Sequence, residues 1–277
     1  KKKLFTTDQW KDLINNINNN SKELMLLYND KTAIEFGSKY KPEYVEIHSV
    51  CLNDIHLLDA LRNNISNDTS VILGVGGSSL DEIEYAIDRL EHDRIILMFG
   101  FQNYPTHYEN INFRKMQRIM HLFPELNYGY ADHSAWNEPE NILITLMGAA
   151  LGMDYIEKHV TNAYGKERVD WNSAISIDMF NEIADKIEIL GKCRGDGLIK
   201  LNDAEEKYSI YGPMKKTAVL KEDVQEGDIL TLDKIQFQRT KEITDLSQLD
   251  IINRIGNKIN EDLKAGSVLF RTHFKID

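Results

Sequence analysis

Two histidines, each near the end of a short apolar segment, are the strongest candidates for a chemical role in this sequence. His133 ends segment 130–133, His159 lies within segment 155–161, and an Ala/Gly/Leu-rich helix pattern spans 139–152 between them. A strand, a helix and a strand in this order place both imidazoles at the carboxyl ends of neighbouring parallel strands, which form the catalytic rim of a βα barrel. Two imidazoles at that rim can hold a divalent metal ion and leave coordination positions open for substrate. The alternative is a pair of hydrogen-bonded structural histidines.

Short strand patterns alternate with helix patterns over the first two thirds of the chain. Six strand patterns lie near 23–28, 44–49, 70–75, 94–101, 127–130 and 153–158. Helix patterns lie near 6–19, 55–64, 79–89, 112–122, 139–152 and 176–190. This alternation predicts parallel βαβ units and an α/β fold. A closed (β/α)8 barrel needs eight strands, so we expect two strands before Lys1; an open six-stranded sheet is the alternative.

The composition limits the classes of protein to which the chain can belong. It has 277 residues, a formal net charge of -11, 42% apolar residues and no visible signal peptide. No apolar run approaches the roughly 18 residues of a membrane span, so we expect a soluble protein without a membrane partner. The acidic charge argues against a nucleic acid partner. Cys51 and Cys193 lack metal-type spacing and form no disulfide framework, which favours a cytoplasmic location.

The alternation of strand and helix patterns ends at about residue 190. We expect a barrel domain over 1–192, a glycine-containing polar linker over 193–204 and a small β-rich domain over 205–277. A module of about 70 residues is too small to hold a large pocket by itself. We therefore expect this module to cover a site on another domain.

Three short motifs and a tail segment, in the family's order, resemble the sialic acid synthase family. The motifs are Tyr-Pro-Thr at 104–106, Gly-Tyr-Ala-Asp-His-Ser at 129–134 and Glu-Lys-His-Val-Thr at 157–161, and the tail segment is 218–230. This family includes the pseudaminate and legionaminate synthases and spore-coat polysaccharide relatives. The resemblance implies a TIM (β/α)8-type barrel followed by an antifreeze-like (SAF) domain. It also implies a domain-swapped homodimer in which each SAF domain caps the partner's barrel.

The family reaction condenses phosphoenolpyruvate with the open-chain form of an N-acetylated aminohexose such as N-acetylmannosamine. The products are a nine-carbon 2-keto acid and phosphate. A Lewis acid that polarises the sugar aldehyde lowers the barrier to carbon–carbon bond formation. By resemblance, His133 and His159 hold a Mn²⁺ or Mg²⁺ ion for this purpose. Imidazole is acceptable to Mn²⁺, and the small number of protein ligands leaves room for substrate oxygens.

The resemblance also assigns roles to three residues outside the histidine pair. Tyr104 corresponds to the tyrosine that contacts the sugar, and Arg239 falls where the SAF domain supplies an arginine to the partner's sugar pocket. Asp170 is a candidate acid/base or metal-shell carboxylate, and a capping or loop-bracing aspartate is the alternative. Lys158 points away from His159 by strand alternation, so we assign it no catalytic step.

The residues at the positions where the family binds phosphate differ from the family motifs. Where the family has Lys-Ile-Ala-Ser, this chain has Glu46-Ile47-His48-Ser49, and a carboxylate in place of a cation reverses the local electrostatics. The family's Ser-Thr-Gly-Met-Ser loop is a glycine-rich turn here, and its backbone N–H groups remain possible donors. The serine of the family's Ser-Asp-His-Thr is Ala131, and Gln102 replaces the Ser or Asn usually found before Tyr-Pro. The substrate-binding candidates on this side are Ser49, Gly74, Ser78 and Gln102.

Three hypotheses follow from the sequence. The first is a sialic acid synthase-like enzyme that acts on phosphoenolpyruvate and an N-acetylated hexosamine. The second is a metal-dependent enzyme that condenses an aldehyde with an altered donor. The third is a non-catalytic sugar-binding or regulatory paralogue that dimerises with an active synthase. Metal binding and phosphate affinity distinguish the three.

Overall fold

The chain folds into two compact units. The structure, a computed structural model, describes residues 5–100 and 103–274. The first unit ends at Asp196 and the second begins at Gly197, within the stretch 193–204 that the sequence predicts as a linker. Among the described residues, we find no helix with the length and apolarity needed to cross a membrane.

Strands and helices alternate along the first unit. The strands are β1 (Met25–Tyr28), β2 (Tyr44–Ile47), β3 (Ser70–Gly74), β4 (Ile95–Gly100), β5 (Asn127–Asp132), β6 (Tyr155–Lys158), β7 (Val160–Thr161) and β8 (Ile175–Ser176). The helices are α1 (Thr7–Asn19), α2 (Lys31–Gly37), α3 (Ile55–Asn64), α4 (Leu80–Leu90), α5 (Tyr108–Ile111), α6 (Phe113–Leu122), α7 (Asn141–Ala150) and α8 (Ile177–Arg194). Each of the six strand patterns in the sequence corresponds to one of β1 to β6.

Strands β1 to β6 form one parallel sheet in chain order. β3 and β4 are buried along their whole length and consist almost entirely of apolar residues, as expected for strands covered on both faces. Buried residues of α3 and α4, such as Leu58, Leu61 and Ile83, pack in the core cluster on one face of this sheet. The fold is therefore α/β, as the alternation predicts.

The sheet is strongly curled. The rings of Tyr44 on β2 and Tyr155 on β6 contact each other with centroids 5.9 Å apart, although three strands lie between them. A flat sheet would separate these two strands by about 19 Å, because neighbouring strands lie about 4.8 Å apart. A small apolar cluster packs against the two tyrosines on the inner face and consists of Ile72, Ile96, Met98 and Ala131. Residues on β2 and β6 therefore face each other across the interior of the curl.

Gly148 lets α7 approach β5 closely. A Cβ atom at this position would lie 2.6 Å from Cδ1 of Tyr130, whose side chain is fully buried. We expect Gly148→Ala to lower the free energy of unfolding by about 1–3 kcal/mol through overpacking, despite the higher helix propensity of alanine. Urea unfolding measures the change.

Gly191 on α8 is the matched control for that substitution, since a Cβ atom added there would have no described atom within 4 Å. Gly191→Ala should stabilise the protein by about 0.5–1 kcal/mol through helix propensity alone. Equal effects of the two substitutions would contradict close packing of α7 on Tyr130.

The second unit has its own apolar core. Its regular elements are α9 (Asp203–Tyr211), β9 (Thr217–Leu220), β10 (Ile235–Gln238) and α10 (Gln248–Ile252). β9 and β10 are antiparallel, and isolated antiparallel bridges such as Val224–Leu263 pair the segment after β9 with the segment after α10. The sequence patterns did not predict α9, a polar helix whose start is fixed by a capping box between Asn202 and Glu205.

Candidate active site

A cavity of about 450 Å³ opens at the carboxyl ends of the parallel strands. Strand alternation directs every second side chain to the inner face of the curl, so all six strands contribute to the lining. The lining residues are Leu27, Glu46, His48, Ser49, Gly74, Met98, Phe99, Gly100, Tyr104, Ala131, His133, Glu157, His159 and Asp170. This cavity therefore gathers most of the chemistry-bearing residues singled out in the sequence.

His133 and His159 lie side by side at this cavity. Their ring centroids are 5.2 Å apart, and the ring of Tyr104 lies 5.9 Å from His133 and 6.4 Å from His159. Nδ1 of His133 lies 3.0 Å from the carbonyl oxygen of Ala131. Because a carbonyl only accepts, Nδ1 carries the proton and Nε2 keeps its lone pair, the arrangement expected of a metal-ligating histidine.

Burial keeps both imidazoles neutral near pH 7. The pKa of His133 is lowered to about 4, mainly by desolvation and also by the nearby His159, against the hydrogen bond to the Ala131 carbonyl. Desolvation also lowers the pKa of His159, while the charge of Asp170 acts in the opposite direction. A neutral imidazole is the form that binds a metal ion.

The donor set fits a metal ion that has few protein ligands. Within residues 5–100 and 103–274, no group of three or more His, Cys, Asp or Glu side chains is arranged to hold a metal. His133 and His159 would therefore be two imidazole ligands, with further positions left to water and substrate oxygens. That combination is acceptable to Mn²⁺.

Backbone contacts fix the segments that carry the two histidines. The carbonyl oxygen of His133 accepts hydrogen bonds from the Thr106 amide at 2.8 Å and from Ser173 Oγ at 3.0 Å. The carbonyl of His159 accepts from the Ile175 amide at 2.9 Å, which begins the pairing of β7 with β8. These hydrogen bonds connect the loop that carries Asp170 to the segments that follow β5 and β6.

A buried ion pair lies on the opposite face of the same two strands. Lys158 Nζ lies 2.6 Å from Asp132 Oδ2, and the two side chains are only 2% and 0% exposed. Thr145 Oγ1 on α7 donates to the same carboxylate oxygen at 2.6 Å, and the Ser134 amide donates to Oδ1 at 2.8 Å. Lys158 thus points away from the cavity, as strand alternation predicts, and its ion pair joins β5 to β6 directly beside the histidines.

The inner face presents two carboxyl groups to each other. Glu46 is 6% exposed and forms no hydrogen bond or ion pair with any described residue, while Glu157 Oε2 is buried and has no hydrogen-bond partner there. Burial, together with the nearby Glu157, raises the pKa of Glu46 to about 8. Burial also raises the pKa of Glu157. Among the described lining residues of the cavity there is no lysine or arginine.

Glu46 makes the stability of the protein depend on pH. Its pKa is near 8 in the folded state against an ordinary 4.5, so the folded state holds this proton more tightly than the unfolded state. The stabilisation is complete below about pH 4.5 and is lost as the pH rises towards 8. We expect the free energy of unfolding of the wild type to fall by about 3 kcal/mol relative to Glu46→Gln between pH 5 and 8.

Urea unfolding at a series of pH values tests this expectation. Glu84→Gln is the matched control, since Glu84 is exposed on α4 and should keep the wild-type profile. Parallel profiles for wild type and Glu46→Gln would show that Glu46 does not titrate differently in the folded and unfolded states.

The structure brings together six of the residues predicted for the site. Ser49, Gly74, Tyr104, His133, His159 and Asp170 all line the cavity. Ser78 lies at a neighbouring cavity lined also by Ser49, Asp54 and Glu82. Gln102 lies outside the described residues, and Arg239 lies in the second unit beside Lys241. Sequence reasoning missed Glu157, although period-2 alternation with His159 already placed it on the inner face.

Comparison with known proteins identifies the family. A model described as the NeuB family matches residues 1–198, which is more than half of the chain. The chain belongs to the NeuB family. This agrees with the resemblance carried by the motifs around Tyr104, His133 and His159.

Individual relatives agree with this assignment. The chain is 23% identical over 253 residues to the N,N'-diacetyllegionaminic acid synthase of Legionella pneumophila, covering 89% of this chain and 67% of that protein. The N-acetylneuraminic acid synthetase structure from Leptospira borgpetersenii has a TM-score of 0.66 at 23% identity, covering 73% and 69%. A spore coat polysaccharide biosynthesis protein E structure from Chromobacterium violaceum has a TM-score of 0.78 at 15% identity, covering 99% and 80%. These structural matches show a common fold.

Proposed function

We propose that this chain is a sialic acid synthase-like enzyme. In the proposed reaction, phosphoenolpyruvate and the open-chain form of an N-acetylated aminohexose condense to a nine-carbon 2-keto sugar acid and phosphate. The observation that carries the proposal is the pair His133 and His159, two neutral imidazoles 5.2 Å apart at a cavity on the strand ends. Membership of the NeuB family and the similarity to a legionaminic acid synthase and an N-acetylneuraminic acid synthetase support it.

The residues around the cavity have distinct roles in this proposal. His133 and His159 would hold Mn²⁺ or Mg²⁺, which supplies Lewis acidity towards the sugar aldehyde when bound. Tyr104, packed against both imidazoles, contacts the sugar and limits the space beside the aldehyde. Asp170 faces the same cavity and holds or releases a proton at its carboxylate.

We further propose that the curled sheet is the greater part of a (β/α)8-type barrel and that the second unit is an SAF domain. The contact between Tyr44 and Tyr155 across the interior supports the first point, because it requires the sheet to bend towards closure. A domain-swapped homodimer, in which Arg239 reaches the partner's sugar pocket, completes the proposal. Size-exclusion chromatography with light scattering tests the dimer.

The acidic cavity favours a second candidate function. Glu46 stands where the resemblance places a phosphate-binding lysine, Glu157 lies on the same inner face, and the described lining contains no cationic side chain. Near pH 7 the raised pKa leaves Glu46 mostly protonated, so this face offers a phosphate group carboxyl side chains and no cation to bind it. In this candidate, the histidine pair handles the aldehyde as proposed, and the donor carries no phosphate.

One experiment separates the candidates. The full-length protein is incubated with Mn²⁺, phosphoenolpyruvate and a panel of N-acetylated hexosamines, and phosphate release and sugar-acid formation are both measured. Release that requires both metal and sugar supports the synthase. Metal binding without release supports the altered donor. Absence of metal binding and of product contradicts both enzymatic candidates and leaves a sugar-binding paralogue.

A further inference from the structure

Three aromatic side chains form a cluster in the loops that follow the carboxyl ends of the strands. Trp136 lies between β5 and α7, and Tyr164 and Trp171 lie in the loop between β7 and β8. The ring centroid of Trp136 is 5.1 Å from that of Tyr164 and 5.9 Å from that of Trp171. We call these three residues the rim cluster.

Hydrogen bonds and close packing hold the rim cluster in place. The Trp136 amide donates to the carbonyl oxygen of Asn172 at 2.8 Å, and the Tyr164 hydroxyl donates to the carbonyl oxygen of Trp136 at 2.8 Å. Gly165 has a φ of +69°, and a Cβ atom there would lie 3.0 Å from Cζ3 of Trp136. The loop therefore packs directly on the indole ring, and the rings are ordered before any ligand binds, which lowers the entropic cost of binding.

The rim cluster borders the cavity that holds the histidine pair. Trp136 follows His133 by three residues, and Trp171 follows Asp170, which lines the cavity. Ser173, two residues after Trp171, donates through Oγ to the carbonyl oxygen of His133 at 3.0 Å. The three rings are thus fixed relative to the metal-ligand candidate His133 and to the cavity wall.

Part of the aromatic surface faces solvent. Tyr164 is 43% exposed, and Trp136 and Trp171 are half-buried. Exposed aromatic surface next to a cavity is typical of a binding surface. The face of an aromatic ring is the negative part of its quadrupole, so it favours neutral or cationic groups over anions.

These properties suit the carbon chain of a sugar. The C–H groups of a sugar are apolar and pack on aromatic faces, while its hydroxyl groups need polar partners. Asp170 and Asn172 flank Trp171 in the sequence and provide such groups. Phosphoenolpyruvate is an anion throughout and matches the ring faces poorly.

We infer that the rim cluster binds the acceptor sugar by packing against the part of its carbon chain beyond the aldehyde. This inference rests on the proposed function, in which the aldehyde lies at His133 and His159. It adds that the rings of Trp136, Tyr164 and Trp171 select the acceptor and take no part in binding phosphoenolpyruvate.

Intrinsic fluorescence of the full-length protein tests whether a sugar reaches the cluster. Two of the three tryptophans belong to it, and the third, Trp10, lies on α1, where its ring contacts Phe5. Titration with N-acetylmannosamine in the presence of Mn²⁺ should give a saturable change in emission. Trp10→Phe should retain this change. A titration without a saturable change, or a change that disappears with Trp10→Phe, would overturn the inference.

Variants assign the binding to the rings. By isothermal titration, Trp171→Ala should weaken the binding of N-acetylmannosamine about 5- to 10-fold, the scale of one aromatic contact, and Trp171→Phe should restore most of it. Tyr164→Ala should also weaken binding and is the second test if Trp171→Ala does not fold. Tyr85→Ala is the matched control, because Tyr85 is 44% exposed on α4. Wild-type affinity in folded Trp171→Ala and Tyr164→Ala proteins would refute the assignment.

Kinetics separate this inference from the proposed function. If the synthase reaction occurs, Trp171→Ala should raise KM for the sugar about 5- to 10-fold and leave KM for phosphoenolpyruvate unchanged. Product formation with an unchanged KM for the sugar would refute the rim cluster and leave the synthase standing. Absence of product, with sugar binding that depends on Trp171, would refute the synthase reaction and leave the rim cluster standing.

Light scattering covers the remaining occupant of the rings, a second copy of the chain. The oligomeric state should be the same in wild type and Trp171→Ala. A Trp171→Ala protein that dissociates while its sugar affinity stays unchanged would assign the rings to a contact between copies and overturn the inference.

Discussion

Lys158→Met is expected to lower the free energy of unfolding by about 3–5 kcal/mol, because it leaves the Asp132 carboxylate buried without its cation. The Asp132 side chain is 0% exposed, and its remaining donors, Thr145 and the Ser134 amide, carry no formal charge. Urea unfolding followed by tryptophan fluorescence measures the loss. The methionine retains most of the apolar volume of the lysine stem, so the change reports mainly on charge.

Lys186→Met provides the control for this experiment. Lys186 forms an ion pair with Glu182 on the exposed surface of α8, where both side chains are about half exposed. Loss of such a pair should cost about 0.5 kcal/mol or less. The double substitution Asp132→Leu with Lys158→Met should recover part of the stability, since it removes both buried charges. A Lys158→Met protein as stable as Lys186→Met would refute the structural role of the buried ion pair.

His133→Ala should lower the affinity for Mn²⁺ by more than about 100-fold, since loss of residues that merely support a metal ligand already costs 10–100-fold. His159→Ala should have a similar effect, because the two imidazoles are the adjacent pair at the cavity. Sugar-dependent product formation should become undetectable in both variants. Electron paramagnetic resonance of free Mn²⁺ gives the affinity directly and does not depend on knowing the substrate.

His56→Ala is the matched control for the histidine substitutions. His56 is exposed near the start of α3 and should leave both metal affinity and product formation unchanged. Thermal unfolding of His133→Ala identifies any general loss of structure. Wild-type Mn²⁺ affinity in a folded His133→Ala protein would show that the histidines have a structural role, the alternative that the sequence left open.

Local patterns predicted much of the first unit. The apolar runs at β3 and β4 are long and bounded by polar turns, and the helix pattern over 55–64 coincides with α3. The sequence did not predict α2, since its seven residues are too few to establish a helical period. β5 extends to Asp132, beyond the expected end at residue 130, because Asp132 is neutralised by Lys158 and is thereby accommodated in a buried strand.

The sequence predicts those parts of the site that depend only on the order of neighbouring strands along the chain. His133 and His159 follow adjacent strands, so their proximity follows from parallel βαβ topology. The approach of Glu46 to Glu157 depends instead on the curl of the sheet, a long-range property that strand patterns do not specify. The structure places the carboxyl group of Glu157 near that of Glu46.

The alternation of side chains at the ends of β5 and β6 has an evolutionary consequence. Residues 131, 133, 157 and 159 face the cavity, whereas Asp132 and Lys158 between them face outwards and hold the two strands together. Mutation of an inward position changes the ligand chemistry without disturbing the ion pair that maintains the scaffold. Inward positions can therefore vary while the scaffold is retained, and at two of them, Ala131 and Glu46, the sequence differs from the motifs that the resemblance implies.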